Sequence, residues 1–464
     1  MDAVAEGPES ISSRRRFVLR GAAIVALALG IRVLYVWMAT AEYPIRGDVN
    51  QYVLYAWNMS HRGTFSTALP NDTLTPPDSY RGPGYPAFLA TSMMLAGHSD
   101  LPLRLGPGGT SALGYATDTW MQIALRLQVL LGTATVWLVI VLGRFWLGRG
   151  WSLSAGLMTA LWPHLVAFTG VLLSETFFAF ALMLGLWLLC SANDAVSRKR
   201  MLAGGIVWGM AYLINPVAAL FPLMGGALVL LRGQRKLAMV FLASFALAPG
   251  LWAIRNALSV HDSGTLQRME ENFVQGSWPE FLVAFNTRHD NDISRQIVEA
   301  VNAEGQQLRE SPTKGLANIE ERIAQDPLYY FSWYLWRKPY LLWDWSIRVG
   351  TGDIYFLPVQ HSPYDKIPLL SVLNSAFRWV NPLVFALAVA SLVSILWFSV
   401  WRGRRENFAL LMTCLLVLYV TAVHVALQAE PRYSIPYRPE EILLAVTALA
   451  WLTAQMGFWT KTIK

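Results

Sequence analysis

Apolar runs close to the ~20 residues that a helix needs to cross a bilayer recur along this chain, separated by short Arg/Lys clusters. That pairing leaves few architectures, because backbone polar groups inside lipid must find partners within the protein. A transmembrane β-barrel would show short alternating segments, and none are seen. Of the 464 residues, 54% are hydrophobic and 14% charged, and mean hydropathy is +0.37. Soluble domains carry roughly a quarter charged residues. The sequence therefore predicts an all-α polytopic membrane protein.

Ten spans are expected. The first is 17–38, apolar apart from Arg20 and Arg32 and preceded by Arg14, Arg15 and Arg16. Ala39-Thr40-Ala41 resembles a cleavage site, but the apolar run exceeds the roughly 7–15 residues of a signal-peptide core, so an uncleaved anchor is expected. Arg32 is expected to snorkel to the interface. Further spans are expected at 120–142, 151–168, 175–190, 201–214, 217–231, 237–254, 379–400, 408–427 and 442–458. The predicted inner turns carry Arg144 and Arg149, Arg198 to Arg200, Arg232 to Lys236, and Arg402 to Arg405. By the positive-inside rule both termini are then cytoplasmic, and loops 40–117 and 255–375 lie outside. The net charge of +7 is thus explained by membrane topology and does not point to nucleic acid. Cys190 and Cys414 lie in apolar segments, so neither a disulfide framework nor a metal site is indicated. One domain, 1–464, is expected, with surface helices in the first outer loop at 48–62 and 83–97 and no separate soluble C-terminal domain.

The polar residues gather on the predicted outer face. Asp48 follows Gly47 and opens an amphipathic run containing Tyr52. An N-cap explains it, since aspartate caps helices well; a carboxylate where a span surfaces is also a functional candidate. Arg81-Gly82-Pro83-Gly84-Tyr85-Pro86 reads as a turn. Arg81 either anchors to lipid headgroups or grips a phosphate through its forked donors. Glu175 after Ser174 suits a helix start, or serves as a second acid. Arg255 ends the span at 237–254 and faces the same choice as Arg81. Glu430-Pro431-Arg432-Tyr433 forms a short charged, aromatic loop. His424 reads as a satisfied helix histidine.

Taken together, Asp48, the Arg81 turn, Ser174-Glu175-Thr176, Trp252 to Asn256 and Glu430 to Pro436 resemble the GT-C class of polyprenyl-phosphate-sugar glycosyltransferases. The closer similarity is to the bacterial branch related to protein O-mannosyltransferases and the lipid A aminoarabinose transferase. The resemblance implies a glycosyltransferase of the bacterial inner membrane with its site on the periplasmic face. It would move a hexose or pentose from an undecaprenyl- or decaprenyl-type phosphate to a hydroxyl of a lipid, glycan or protein acceptor. It implies Asp48 as general base, and Arg81, Arg255 and Arg432 around the donor phosphate. Glu175 and Glu430 are a possible second acid or structural. Tyr52, Tyr85 and Tyr433 would line the donor or acceptor cavity. No cofactor is demanded; a divalent cation remains possible, although no ligand cluster calls for one.

The chemistry suits these residue types. Sugar transfer passes through an oxocarbenium-like transition state, the acceptor hydroxyl needs a base, and fixed arginines stabilise the departing phosphate. A secondary transporter would instead show broken helices and ionisable groups near the bilayer midplane. A non-catalytic polyprenyl-phosphate binder, or a ligase joining longer lipid-linked glycans, are the other readings.

Overall fold

The computed structural model describes residues 11–41, 47–97, 103–105, 111–113, 118–191, 197–260, 264–354, 357–401 and 407–462. The Pro44-to-Arg46 approach to Asp48 and the Arg402, Arg404 and Arg405 cluster lie outside these.

Helices dominate. Among the described residues five are long and apolar enough to cross a membrane: Ser12–Met38, Thr119–Gly143, Arg235–Ser259, Pro368–Trp397 and Phe408–Ala426. Glu175–Cys190 and Pro216–Leu231 are shorter apolar helices. One large apolar core runs through the bundle, with Trp120, Trp162 and Trp208 fully buried. The protein is not wholly α. Thr40–Ala41 pairs antiparallel with Val359–Gln360, and Leu357–Gln360 also pairs with Gly352–Ile354. This small sheet ties the end of the first helix to a loop more than 300 residues away.

Several expected boundaries move, each for a local reason. The run 151–168 is broken: helix Arg149–Leu161 stops at Trp162, whose φ/ψ of −62/114 is extended, and a new turn starts at Pro163. A residue before proline is pushed out of the α region. The span expected from Trp379 begins eleven residues earlier, in helix Pro368–Trp401, which carries Pro382 in its interior. Within the 255–375 loop, helices Asp292–Glu310 and Pro312–Gln325 are likewise divided at a residue–proline step, Ser311-Pro312.

Arg32 does not snorkel. It is 1% exposed, and its Nη1 donates to the carbonyls of Ala28 and Ala160, both at 3.2 Å. Ala160 lies in the last turn before the Pro163 break, where helix carbonyls lose their intrahelical partners. The break thus supplies the acceptor that draws the guanidinium inward.

Residues 264–332 build a helical unit with its own apolar cluster, including Val274, Phe281, Val301, Leu308 and Ile319. Burying each such side chain contributes roughly 1.5–3 kcal/mol. Polar pins fasten the unit to the bundle. Tyr80 Oη donates to Glu271 Oε2 at 2.8 Å, and Lys338 Nζ donates to the carbonyls of Gly276 and Leu427 at 2.9 and 2.6 Å.

The last helix, Arg438–Thr462, begins on a fully buried guanidinium. Arg438 Nη1 donates to Asn381 Oδ1 and Glu441 Oε2 at 3.0 and 2.7 Å; Nη2 donates to the Trp343 and Asp344 carbonyls at 3.1 and 2.9 Å. Arg438→Ala strands the Glu441 carboxylate and is expected to cost about 3–5 kcal/mol. Arg438→Met with Glu441→Leu should cost less than the single change. Thermal unfolding of the purified variants, followed by size-exclusion fluorescence, checks this order.

Candidate active site

Asp48 is the first residue of helix Asp48–Arg62, not its cap; Gly47 holds that position, with φ/ψ of 63/−138. Only glycine adopts such a backbone without strain. The Asp48 carboxyl is turned to two guanidinium groups. Arg81 Nη2 donates to Oδ1 at 2.5 Å and Arg432 Nη2 to Oδ2 at 3.1 Å. The expected cap is therefore corrected: residues 33 and 384 positions away hold this carboxylate.

Each arginine is fixed in turn. Arg81 Nε donates to Gln51 Oε1 at 2.7 Å, one helical turn from Asp48, and its guanidinium lies 5.5 Å from the Tyr52 ring centroid. The following Gly82 presses on the end of helix Ser197–Ile214, where a Cβ would stand 2.3 Å from the Leu213 carbonyl oxygen. That close approach, more than turn chemistry, explains the glycine. Gly82→Ala is expected to push the turn outward, cost about 1–3 kcal/mol and weaken the Arg81–Asp48 pair. Melting temperature and turnover of the variant would both fall.

Arg432 lies in the 3-10 turn Pro431–Tyr437 after helix Phe408–Ala426. Its Nη1 is 3.3 Å from Glu175 Oε1, so one guanidinium bridges two carboxylates. Glu175 opens helix Glu175–Cys190, where the N-terminal dipole favours an acid. Its Oε2 is buried with no hydrogen-bond partner among the described residues.

These groups meet at a cavity of about 450 Å³, counting its open mouth. Asp48, Tyr52, Glu175, Arg432 and Tyr433 line it, as do Asn215 and His424. His424 Nδ1 faces the Gln428 carbonyl at 3.1 Å, and its ring stacks on Tyr433. Burial alone would raise the Asp48 carboxyl, but Arg81 and Arg432, with Arg268 behind them, outweigh it and hold it well below the usual carboxylate range. Burial raises Glu430 above its ordinary value, against the pull of Arg432.

Three expected residues lie elsewhere. Arg255 is occupied by the carbonyls of Asp78 and Phe65, at 2.7 and 3.3 Å, and does not line the cavity. Tyr85 is fully buried, its hydroxyl donating to Gln128 Oε1 at 2.8 Å, so it supports Tyr52 from behind. Glu430 accepts from Gln428 Nε2 at 3.0 Å and stands behind the wall. One residue was missed. Arg268, on helix Gly264–Gly276, lines the cavity and acts electrostatically on Asp48. In sequence it is one polar residue among many on an amphipathic helix.

Among the described residues no three His, Cys, Asp or Glu side chains converge to hold a metal ion. Both Asp48 oxygens are matched by guanidinium hydrogens in this structure.

No family model and no curated protein matches the sequence. Solved structures do match. The apo oligosaccharyltransferase of Archaeoglobus fulgidus is 12% identical with a TM-score of 0.51, the match covering 98% of this chain and 52% of that one. ArnT from Cupriavidus metallidurans bound to undecaprenyl phosphate is 15% identical with a TM-score of 0.43, covering 94% of this chain and 62% of that one. The protein O-mannosyltransferase Pmt1-Pmt2 complex of S. cerevisiae, bound to the sugar donor, is 19% identical with a TM-score of 0.38, covering 56% and 36%. The chain spans about half the length of the archaeal oligosaccharyltransferase. These neighbours are GT-C glycosyltransferases, and over nearly its whole length the chain shares the fold of the archaeal member.

Proposed function

We propose that this protein is a membrane glycosyltransferase that moves a sugar from a polyprenyl-phosphate donor to an acceptor hydroxyl. The observation that carries the reading is the Asp48 carboxylate at a cavity wall, gripped by arginines from opposite ends of the chain. In this reading the seven apolar helices, with Arg149–Leu161, Ser197–Ile214 and Arg438–Thr462, make about ten crossings. The termini are cytoplasmic and the cavity opens to the periplasm of a bacterial inner membrane, within a single domain. The fold and the basic, carboxylate-bearing cavity support this.

The donor phosphate enters beside Arg268, the lining arginine with no carboxylate within ion-pair distance among the described residues. It then competes with Asp48 for Arg81 and Arg432. As their hold loosens, the carboxylate becomes a stronger base. Asp48 accepts the proton of the acceptor hydroxyl while the hydroxyl oxygen bonds to the sugar C1. The C1–O bond to phosphate breaks, and its electron pair leaves on the phosphate, where the arginines stabilise the new charge. Tyr52 and Tyr433 wall the sugar.

The test is the full-length protein in vesicles with a panel of polyprenyl-phosphate sugars. Release of free polyprenyl phosphate together with a glycosylated acceptor is expected. Donor binding without release would mark a non-catalytic binder, and sugar movement without bond cleavage a transporter.

A further inference from the structure

A second cavity, about 230 Å³ counting its open mouth, lies among the helices of the bundle. Arg32, Gly132, Thr135, Thr159 and Thr176 line it. Arg32 is 1% exposed, and no carboxylate stands within ion-pair distance of it among the described residues. Its Nη1 is satisfied by two carbonyls, but its Nε is buried without a partner among the described residues. Gly132 makes the room: a Cβ there would stand 2.9 Å from that Nε. The hydroxyls of Thr135 and Thr159 donate to the Leu131 and Ala155 carbonyls of their own helices. That of Thr176, 6% exposed, is committed to no partner among the described residues, so its proton is available.

An isolated guanidinium in a helix bundle is costly unless a counter-charge meets it. Carbonyl dipoles satisfy hydrogens but leave the net charge in place. The available donors are an unpaired guanidinium N–H and one hydroxyl, facing a space with room for one water-sized species. A dianion pays far more to leave water than a monovalent ion, and a phosphate would need more donors.

We propose that this cavity binds a small monovalent inorganic anion of the chloride class, held by Arg32 and Thr176. The site is separate from the Asp48 cavity, and sugar transfer plays no part in its test. Thr176 directly follows Glu175, so a filled anion site would also steady the first turn of the helix that carries that acid.

The experiment uses the full-length protein in detergent, at constant ionic strength, with sodium chloride exchanged for sodium gluconate. The expected result is a melting temperature that rises by several degrees and saturates with chloride. Thr176→Val keeps the branched shape and should shift saturation to at least about tenfold higher chloride, the loss of roughly one hydrogen bond to a charged group. Arg32→Gln should abolish the dependence. Should that variant fail to fold, anomalous diffraction from wild-type crystals grown in bromide decides, with a peak in hydrogen-bond reach of the Arg32 guanidinium expected. Equal melting in chloride and gluconate, or no bromide peak there, overturns the proposal.

Discussion

Asp48→Asn is expected to reduce sugar transfer by about 10³-fold, within the 10²–10⁴ that a positioned base contributes, while the chain still folds. Asparagine keeps an acceptor oxygen for one of the two guanidinium groups but has no charge and cannot take a proton. The stability loss follows from what remains: Arg81 and Arg432 side chains, only 7% and 5% exposed, lose a shared counter-ion. Arg432 keeps Glu175, so the expected cost is about 1–3 kcal/mol. Asp48→Glu separates the two effects. It restores the charge and the ion pairs, but the longer arm misplaces the base, and a shift near 1 Å costs about 10² in rate. A variant that folds like wild type yet turns over slowly would show that position as well as charge matters.

The pH dependence follows with its sign. The folded-state pKa of Asp48 is depressed. Its contribution to stability is therefore complete above the unfolded value of ~3.9 and is lost only as pH falls through the lower folded value. Titration of free Asp48 thus gives kcat/KM no acid limb between about pH 5 and 8. If donor phosphate loosens the arginines, an acid limb in kcat should lie higher than any in kcat/KM.

Arg432 is the second large effect. Among the described residues it alone bridges Asp48 and Glu175, from a turn near the end of the chain. Arg432→Lys keeps one charge but loses the planar fork, and an ammonium does not reproduce both contacts. Turnover should fall by about 10²–10³, the usual loss when one preorganised donor is removed. Arg432→Ala should do more, because two carboxylates then face each other with, among the described residues, Arg81 and Arg268 nearby. One of them would take up a proton at higher pH. The same substitution at Arg255 is a useful contrast. Its guanidinium holds the Asp78 and Phe65 carbonyls, so Arg255→Lys should lower stability with little change in rate once folded. Rates normalised to folded protein distinguish the two.

The membrane class, most helix cores and the segments that carry Asp48, Arg81, Glu175 and Arg432 were legible because they rest on local signals. Apolar length reports a span, Lys/Arg clusters report turns, and Gly47-Asp48 and Arg81-Gly82 mark tight backbone. What was not legible depended on tertiary partners. Arg255 looked equivalent to Arg81 in sequence, and only the nearby carbonyls of residues 65 and 78 set them apart. Tyr85 and Tyr52 both read as cavity tyrosines, but the pairing with Gln128 buries the first. Arg32 was expected at an interface because the acceptor made by the Pro163 break, 128 residues away, leaves no trace near it. Arg268 was missed because its helix packs over the cavity by contacts made far along the chain.

The most direct measurement is a structure of the full-length protein with a polyprenyl phosphate bound. The account predicts the phosphate in the Asp48 cavity, in hydrogen-bond reach of Arg268 and of Arg81 or Arg432, with at least one Asp48 oxygen released. A phosphate bound on another face, with both arginines still closed on Asp48, would contradict it.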